Sequence, residues 1–279
     1  MKLNRILFLS FFLIFSIISL VLYSRYISTD GLRVKEYKVM DSELTDNFHG
    51  LKIVHISDLH YGTTFNYKNL VKVLDKIKNI KPDIVVLTGD LFDSKVKLND
   101  NKKQKLVKLL SSIDTTIGKY AISGEDDIDL DWDQIIKESD FTNLNDDYTS
   151  IYDNGSNYIF MGGISSNKKS DTKIANYLKT LKDDDKPVYN ILLIHKPDYI
   201  SNFDYAKYDL ILAGHCHGGQ IRLPFVGPLL LPKGAKNYNN EHYLLNNTNL
   251  YISYGLGTSD VYFRFLNKPS INFYRLTNK

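Results

Sequence analysis

Apolar residues recur along this chain in two rhythms. Residues 6–23 form an unbroken uncharged run rich in Phe, Ile and Leu. As a helix rising ~1.5 Å per residue, the run would span roughly 27 Å, close to the thickness of a bilayer's hydrocarbon. No face of it is polar, which argues against an ordinary core helix. Beyond it, strand-length runs alternate with amphipathic ones. Residues 33–39 alternate as a half-exposed strand does, and 51–56 and 83–87 are mainly hydrophobic runs. Between the last two, Leu70, Val73, Leu74 and Ile77 mark a helical stripe over 66–80. Further strands are expected at 118–122, 158–162, 190–194, 209–213, 251–254 and 270–276. Helices are expected at 106–113 and at 171–181, the latter capped by Ser170 or Asp171. Strand–helix–strand repetition of this kind predicts an α/β domain with its ligands at the strand ends.

The flanks refine the first segment. Lys2 and Arg5 precede it and Arg25 follows, and the bulky exit Leu22-Tyr23-Ser24 lacks a small-residue cleavage site. An uncleaved signal-anchor is therefore expected, with the short N-terminus inside and the catalytic part outside the cytoplasm, although Arg33 and Lys35 dilute that charge bias. The chain divides into a cytoplasmic start and membrane anchor (1–25), a tether and first strand (26–50) and a catalytic domain (51–279). A net charge of +3 gives no basic face, so nucleic acid is not expected as a partner. The single Cys216 excludes an internal disulfide.

The chemistry lies directly after the apolar runs: Asp58-Leu59-His60, Gly89-Asp90-Leu91-Phe92-Asp93, His195, and Gly214-His215-Cys216-His217-Gly218-Gly219-Gln220. Mixed carboxylate and imidazole suit Mn, Zn or Fe and disfavour Ca. Each piece alone is weak, since an Asp-x-His or a Gly-Asp turn is common in loops and a lone His ending a strand is commonly a satisfied core residue. Four separate segments carrying such groups point to a two-metal centre of the sort that hydrolyses phosphate esters.

In that order and spacing the segments resemble the calcineurin-like metallophosphoesterase superfamily, over nearly the whole globular part. The nearest likeness is to its small membrane-anchored bacterial branch, which includes enzymes similar to UDP-2,3-diacylglucosamine hydrolases. The resemblance implies a four-layer αββα sandwich of two mixed sheets. It also implies two divalent ions (Mn, Zn or Fe), with Asp58, His60 and His217 around the first, His195 and His215 around the second, and Asp90 bridging. Asp93 and Asp127 would orient ligands, while Asn143 and His242 are not expected to bind metal. One segment departs from the pattern. The superfamily carries Gly-Asn-His-Asp/Glu where this chain has Gly124-Glu125-Asp126-Asp127. Glu125 would replace an amide ligand of the second metal, and Asp126 would replace the His that contacts the scissile phosphate. Asp126 either acts as an altered catalytic acid or leaves a weak, phosphate-gripping pseudo-enzyme, since a lost general acid lowers rates ~10²–10⁴-fold. The expected substrates are phosphodiesters or pyrophosphates with good leaving groups, lipid-linked or nucleotide-sugar in kind. The apolar loop 224–232, next to the ligands, could enter lipid, hold an acyl chain or pack in the core.

Overall fold

The computed structural model describes residues 2–93, 95–96, 98–127, 131–153, 155–167, 172–182 and 185–278. Helix α1 (Lys2–Leu22) is continued by a wider π-helical turn, Tyr23–Ile27, and its apolar side chains are exposed. From Asn4 to Ile27 this helix is long and apolar enough to cross a membrane. Then come β1 (Arg33–Met40), β2 (Lys52–Ile56), α2 (Tyr67–Ile80), β3 (Ile84–Thr88), α3 (Asp100–Ser111), β4 (Gly118–Ile122), α4 (Trp132–Glu138) and β5 (Thr142–Asn143). The second half supplies β6 (Asp147–Tyr152), β7 (Tyr158–Ile164), α5 (Thr172–Thr180), β8 (Tyr189–Ile194) and β9 (Leu210–Ala213). It ends with the short β10 (Arg222–Leu223) and β11 (Gly227–Pro228), then β12 (His242–Leu245), β13 (Thr248–Ile252) and β14 (Ser270–Thr277). The proposed caps Ser170 and Asp171 lie outside the described residues.

The strands form two six-stranded mixed sheets, ordered β1-β14-β2-β3-β4-β5 and β12-β13-β9-β8-β7-β6. In the first, β2, β3, β4 and β5 run parallel, and β14 lies antiparallel to β2 but parallel to β1. In the second, β7, β8, β9 and β13 run parallel, with β6 and β12 antiparallel at the edges.

Three apolar layers follow from strand alternation. Ile53, Ile84, Val86 and Ile122 point between the sheets and meet Ile159, Met161, Ile191 and Leu212. Their neighbours Val54, Ile56, Val85 and Leu87 face outward onto Leu70 and Val73 of α2, Leu106 and Leu110 of α3 and Ile136 of α4. Phe160, Leu192 and Ile211 face outward from the second sheet onto Ile174 of α5 and Ile200. The result is a four-layer αββα sandwich, as the resemblance implied. Each Leu, Ile or Val buried in these layers contributes roughly 1.5–3 kcal/mol. Because the core strands of each sheet are parallel, their carboxyl ends gather along one edge, and the two edges are stitched together. Across the two sheets, Leu256 N–H donates to the Ser57 carbonyl at 3.1 Å and His215 N–H to Asp58 Oδ1 at 2.9 Å; within them, Gly214 N–H donates to the His195 carbonyl at 3.0 Å and Asp58 N–H to that of Gly89 at 2.9 Å.

Candidate metal centre

Every candidate ligand sits just past one of these strand ends: Asp58 and His60 after β2, Asp90 after β3, Glu125 and Asp126 after β4, His195 after β8, His215 and His217 after β9. The chain must turn sharply to aim them inward. Asp58, His60, Asp90, His215 and His217 all hold left-handed backbone, with φ between 45° and 69°. That conformation costs of order 1–3 kcal/mol for a residue with a side chain, and such strain clusters at functional sites. Gly124 supplies the close approach, since a Cβ there would stand 2.0 Å from Asp90 Oδ1.

The structure brings together two triads, Asp58–His60–His217 and Asp90–His195–His215, each with ligand atoms mutually within 4.8 Å and all six residues buried. The triads contact each other, because His60 Nε2 lies 3.6 Å and His195 Nε2 3.2 Å from Asp90 Oδ2. Hydrogen bonds fix which imidazole nitrogen is free. His195 Nδ1–H donates to the Thr88 carbonyl at 2.7 Å, leaving its Nε2 buried without a hydrogen-bond partner. His215 Nε2–H donates to the Lys233 carbonyl at 3.0 Å, so its Nδ1 faces the cluster, 3.6 Å from Glu125 Oε2. His60 Nε2 and His217 Nε2 point at each other across 3.0 Å. Two imidazole nitrogens so placed share at most one proton, and both lone pairs suit one cation.

Protonation divides the imidazoles. Burial pushes His215 down to about 4 and His217 well below its ordinary value, the neighbouring His195 and His60 adding to the effect, so both are neutral donors of the form a metal requires. Burial pushes Asp58 up to about 6. Burial opposes the charge on His195, but the adjacent Asp90 carboxylate outweighs it and lifts the imidazole to about 10; Asp90 is itself held far below the carboxylate range. A buried carboxylate that holds a cationic imidazole beside it marks a place where a divalent cation can take over from the proton.

Asp126 turns toward the first triad. Its N–H donates to Asp90 Oδ1 at 2.9 Å, and its Oδ2 lies 3.2 Å from His60 Nδ1, out of hydrogen-bond alignment. Glu125 pairs with Lys196, a contact that sequence reasoning missed although Lys196 directly follows His195. Asp127 accepts from the N–H groups of Phe92 (3.2 Å) and Gly124 (2.7 Å) and so ties the Asp90 loop to the Glu125 loop. Asp93 accepts from Lys95 N–H at 2.9 Å within its own turn. Asn143 bonds Asp133 and His242 bonds Asn249, each away from the cluster. Arg264 was also missed. It is fully buried, donates to the carbonyls of Gly257 and Tyr254 and brings Nη2 to 3.4 Å from His217 Nδ1. A pocket of about 300 Å³ opens over the cluster, walled on the far side by Ile221, Leu230, Leu231 and Pro232.

Residues 51–219, which contain every one of these strand ends, match the calcineurin-like phosphoesterase family. The chain belongs to that family. It is 30% identical to the metallophosphoesterase YkuE of Bacillus subtilis, over 91% of this chain and 88% of that protein. A metallophosphoesterase of Aquifex aeolicus is 29% identical over 88% and 92% of the two chains. The UDP-2,3-diacylglucosamine pyrophosphatase LpxG of Chlamydia trachomatis is 28% identical over 73% of each. This phosphoesterase is therefore a hydrolase of phosphate ester or anhydride bonds, in a family that normally uses a dinuclear metal site, and its two triads are candidate ligand groups.

Proposed function

We propose that this phosphoesterase is anchored in the membrane by α1, with its catalytic domain outside the cytoplasm, and hydrolyses phosphodiester or pyrophosphate bonds of lipid-linked or nucleotide-sugar substrates. The observation that carries this reading is the pair of buried triads meeting at Asp90 beneath a pocket with an apolar wall. Asp58, His60 and His217 would hold one divalent ion and His195, His215 and Glu125 the other, with Asp90 available to both; Mn, Zn or Fe suits this donor set. Bound there, the ions supply an activated water and neutralise the phosphoryl oxygens. The chain's own residues do the rest. The bonds to Thr88 and Lys233 lock the rings of His195 and His215, a type of support that orients metal-binding imidazoles. Asp126, which lies 3.2 Å from His60 Nδ1, stands in place of an imidazole that could protonate the departing oxygen. Substrates with acidic leaving groups fit such a site, and a nucleotide leaving from a pyrophosphate is one. The likeness to a pyrophosphatase of an acylated nucleotide sugar supports the same class.

The test is Mn-dependent hydrolysis of bis(p-nitrophenyl) phosphate by the detergent-solubilised full chain, with bound metal measured by mass spectrometry. We expect turnover that needs metal, and we expect His215→Ala to lose most of it, on the order of 10²-fold or more, together with part of its bound metal. A folded protein that binds metal yet turns over no diester with Mn, Zn or Fe would remove the hydrolytic reading of this site.

A further inference from the structure

The exit of α1 and the mouth of the metal pocket lie on one side of the molecule, joined by a short hydrogen-bonded path. The Ser24 carbonyl accepts from Arg264 N–H at 3.0 Å, the rings of Tyr23 and Phe265 meet edge-on at 6.4 Å, and Arg25 lies over Tyr262. Phe265 N–H in turn donates to the Gln220 carbonyl, and its own carbonyl accepts from Arg222 N–H, both at 3.0 Å. Arg222 opens the hairpin β10–β11. Ile221 and the largely exposed Leu230 line the pocket, and at the tip Phe225 is fully exposed and Val226 is 69% exposed. Packing in the core, one of the roles open to this loop from sequence, is thereby excluded for the tip.

Several features of the hairpin have no explanation within the fold. Phe225 holds left-handed backbone (φ 65°) in full solvent, where Gly or Asn would sit without cost and without exposing a ring. Arg222, the hairpin's lone charge, is folded back to donate to the Gly218 carbonyl at 3.1 Å and to cover the Tyr254 ring, so the tip itself is uncharged. The exposed Lys233 and Lys236 follow at its base. An uncharged apolar tip followed by two exposed lysines matches the acyl-to-headgroup gradient of a bilayer. The exposed apolar side chains here are Leu223, Phe225, Val226, Leu229 and Leu230, a patch smaller than one face of a standard protein interface, whereas lipid needs no complementary surface.

We infer that hairpin β10–β11 is a second bilayer contact, inserting Phe225 and Val226 among the acyl chains and holding the mouth of the metal pocket at headgroup level. The inference rests on α1 being a membrane anchor. It also deepens the substrate assignment: an amphiphile would reach the pocket laterally, its phosphate meeting the metal centre while its chains stay in lipid against Ile221 and Leu230.

Bromolipid quenching tests the contact without reference to activity. The full chain is reconstituted in phosphatidylcholine/phosphatidylglycerol vesicles, with or without bromine on the acyl chains. The indole introduced by Phe225→Trp should be quenched at least about twice as strongly as one introduced by Tyr152→Trp, an exposed position at the start of the β6–β7 turn, far from the site. The buried Trp132 contributes equally to both. Equal quenching would overturn the contact and leave the tip to a protein partner. In a second arm, the Phe225→Ser/Val226→Ser protein should hydrolyse vesicle-embedded palmityl p-nitrophenyl phosphate about 10-fold more slowly than the parent, with the rate on soluble bis(p-nitrophenyl) phosphate changed less than about twofold. Equal losses on both substrates would sink the lateral-access assignment. If the parent hydrolyses neither diester, the phosphoesterase assignment fails while the quenching result still decides the contact.

Discussion

Glu125 stands where the family pattern has an amide, and the chain answers the extra negative charge with Lys196, whose Nζ reaches Glu125 and also lies 5.3 Å from the Tyr199 ring centroid. Lys196 is nearly buried and Glu125 is half-exposed, so their coupling is that of a partly screened pair. A double-mutant cycle with Glu125→Gln and Lys196→Met, read by urea unfolding of the metal-free protein, should return about 1 kcal/mol. A coupling near zero would show the pair to be incidental. A second acid tests electrostatics far from the metals. Burial raises Asp209 to about 6, and its carboxylate accepts from Asn190 N–H at 2.7 Å. The folded value lies above the unfolded one near 3.8, so the native state holds this proton more tightly and stability falls as pH rises through that window. Asp209→Asn removes the loss, and its unfolding midpoint should overtake the parent's between about pH 4 and 6, by a difference on the order of 2 kcal/mol. An unchanged gap between the two proteins across this range would count against a raised Asp209. The cluster around Asp90 was legible because each candidate ligand follows an apolar run, and strand ends are where a sheet delivers side chains. Lys196 and Arg264 were not legible. A lysine beside a ligand and an arginine in a Phe-Arg-Phe loop look like ordinary surface residues until the fold buries them.

At the scale of elements, apolar periodicity located β2, β3, β4, β8 and β9 to within about a residue or two, since each is mainly apolar and buried on both faces along most of its length. It failed where burial leaves no rhythm. Helix α3 begins at Asp100, six residues before the expected start, because its first turn is wholly polar and only the Asn99 side chain, accepting from Lys102 N–H, announces it. Edge strands β6 and β12 are half-exposed, and α4 follows a loop of acids; neither carries an apolar run of telling length. Helix α2 is better marked. Asn66 accepts from Lys68 N–H at 2.9 Å while Asn69 accepts from Asn66 N–H at 3.0 Å, a reciprocal cap. Asn66→Ala should therefore cost about 1 kcal/mol in denaturant unfolding, with diester turnover unaffected. A cost within error would show the cap to be redundant with the packing of Leu70 and Val73.

For the molecule as a whole, α1 and the exposed hairpin predict a protein that stays with the membrane through high salt and alkaline carbonate and is released only by detergent. Release by salt would mean that α1 does not span. In intact cells, external protease should remove the catalytic domain; protection of that domain would reverse the proposed orientation. The residues after α1 are not a slack tether, because Ser24 and Ser28 are buried and Ser24 is bonded to Arg264. The pairing of β1 with β14 has a further consequence, for biogenesis. The strand that first follows the membrane helix can find its partner only after more than two hundred further residues have been made, and β14 also separates β1 from β2. The first sheet therefore cannot close while the chain is still emerging. A domain delivered across a membrane behind its own anchor would thus complete its first sheet only after its last strand had crossed.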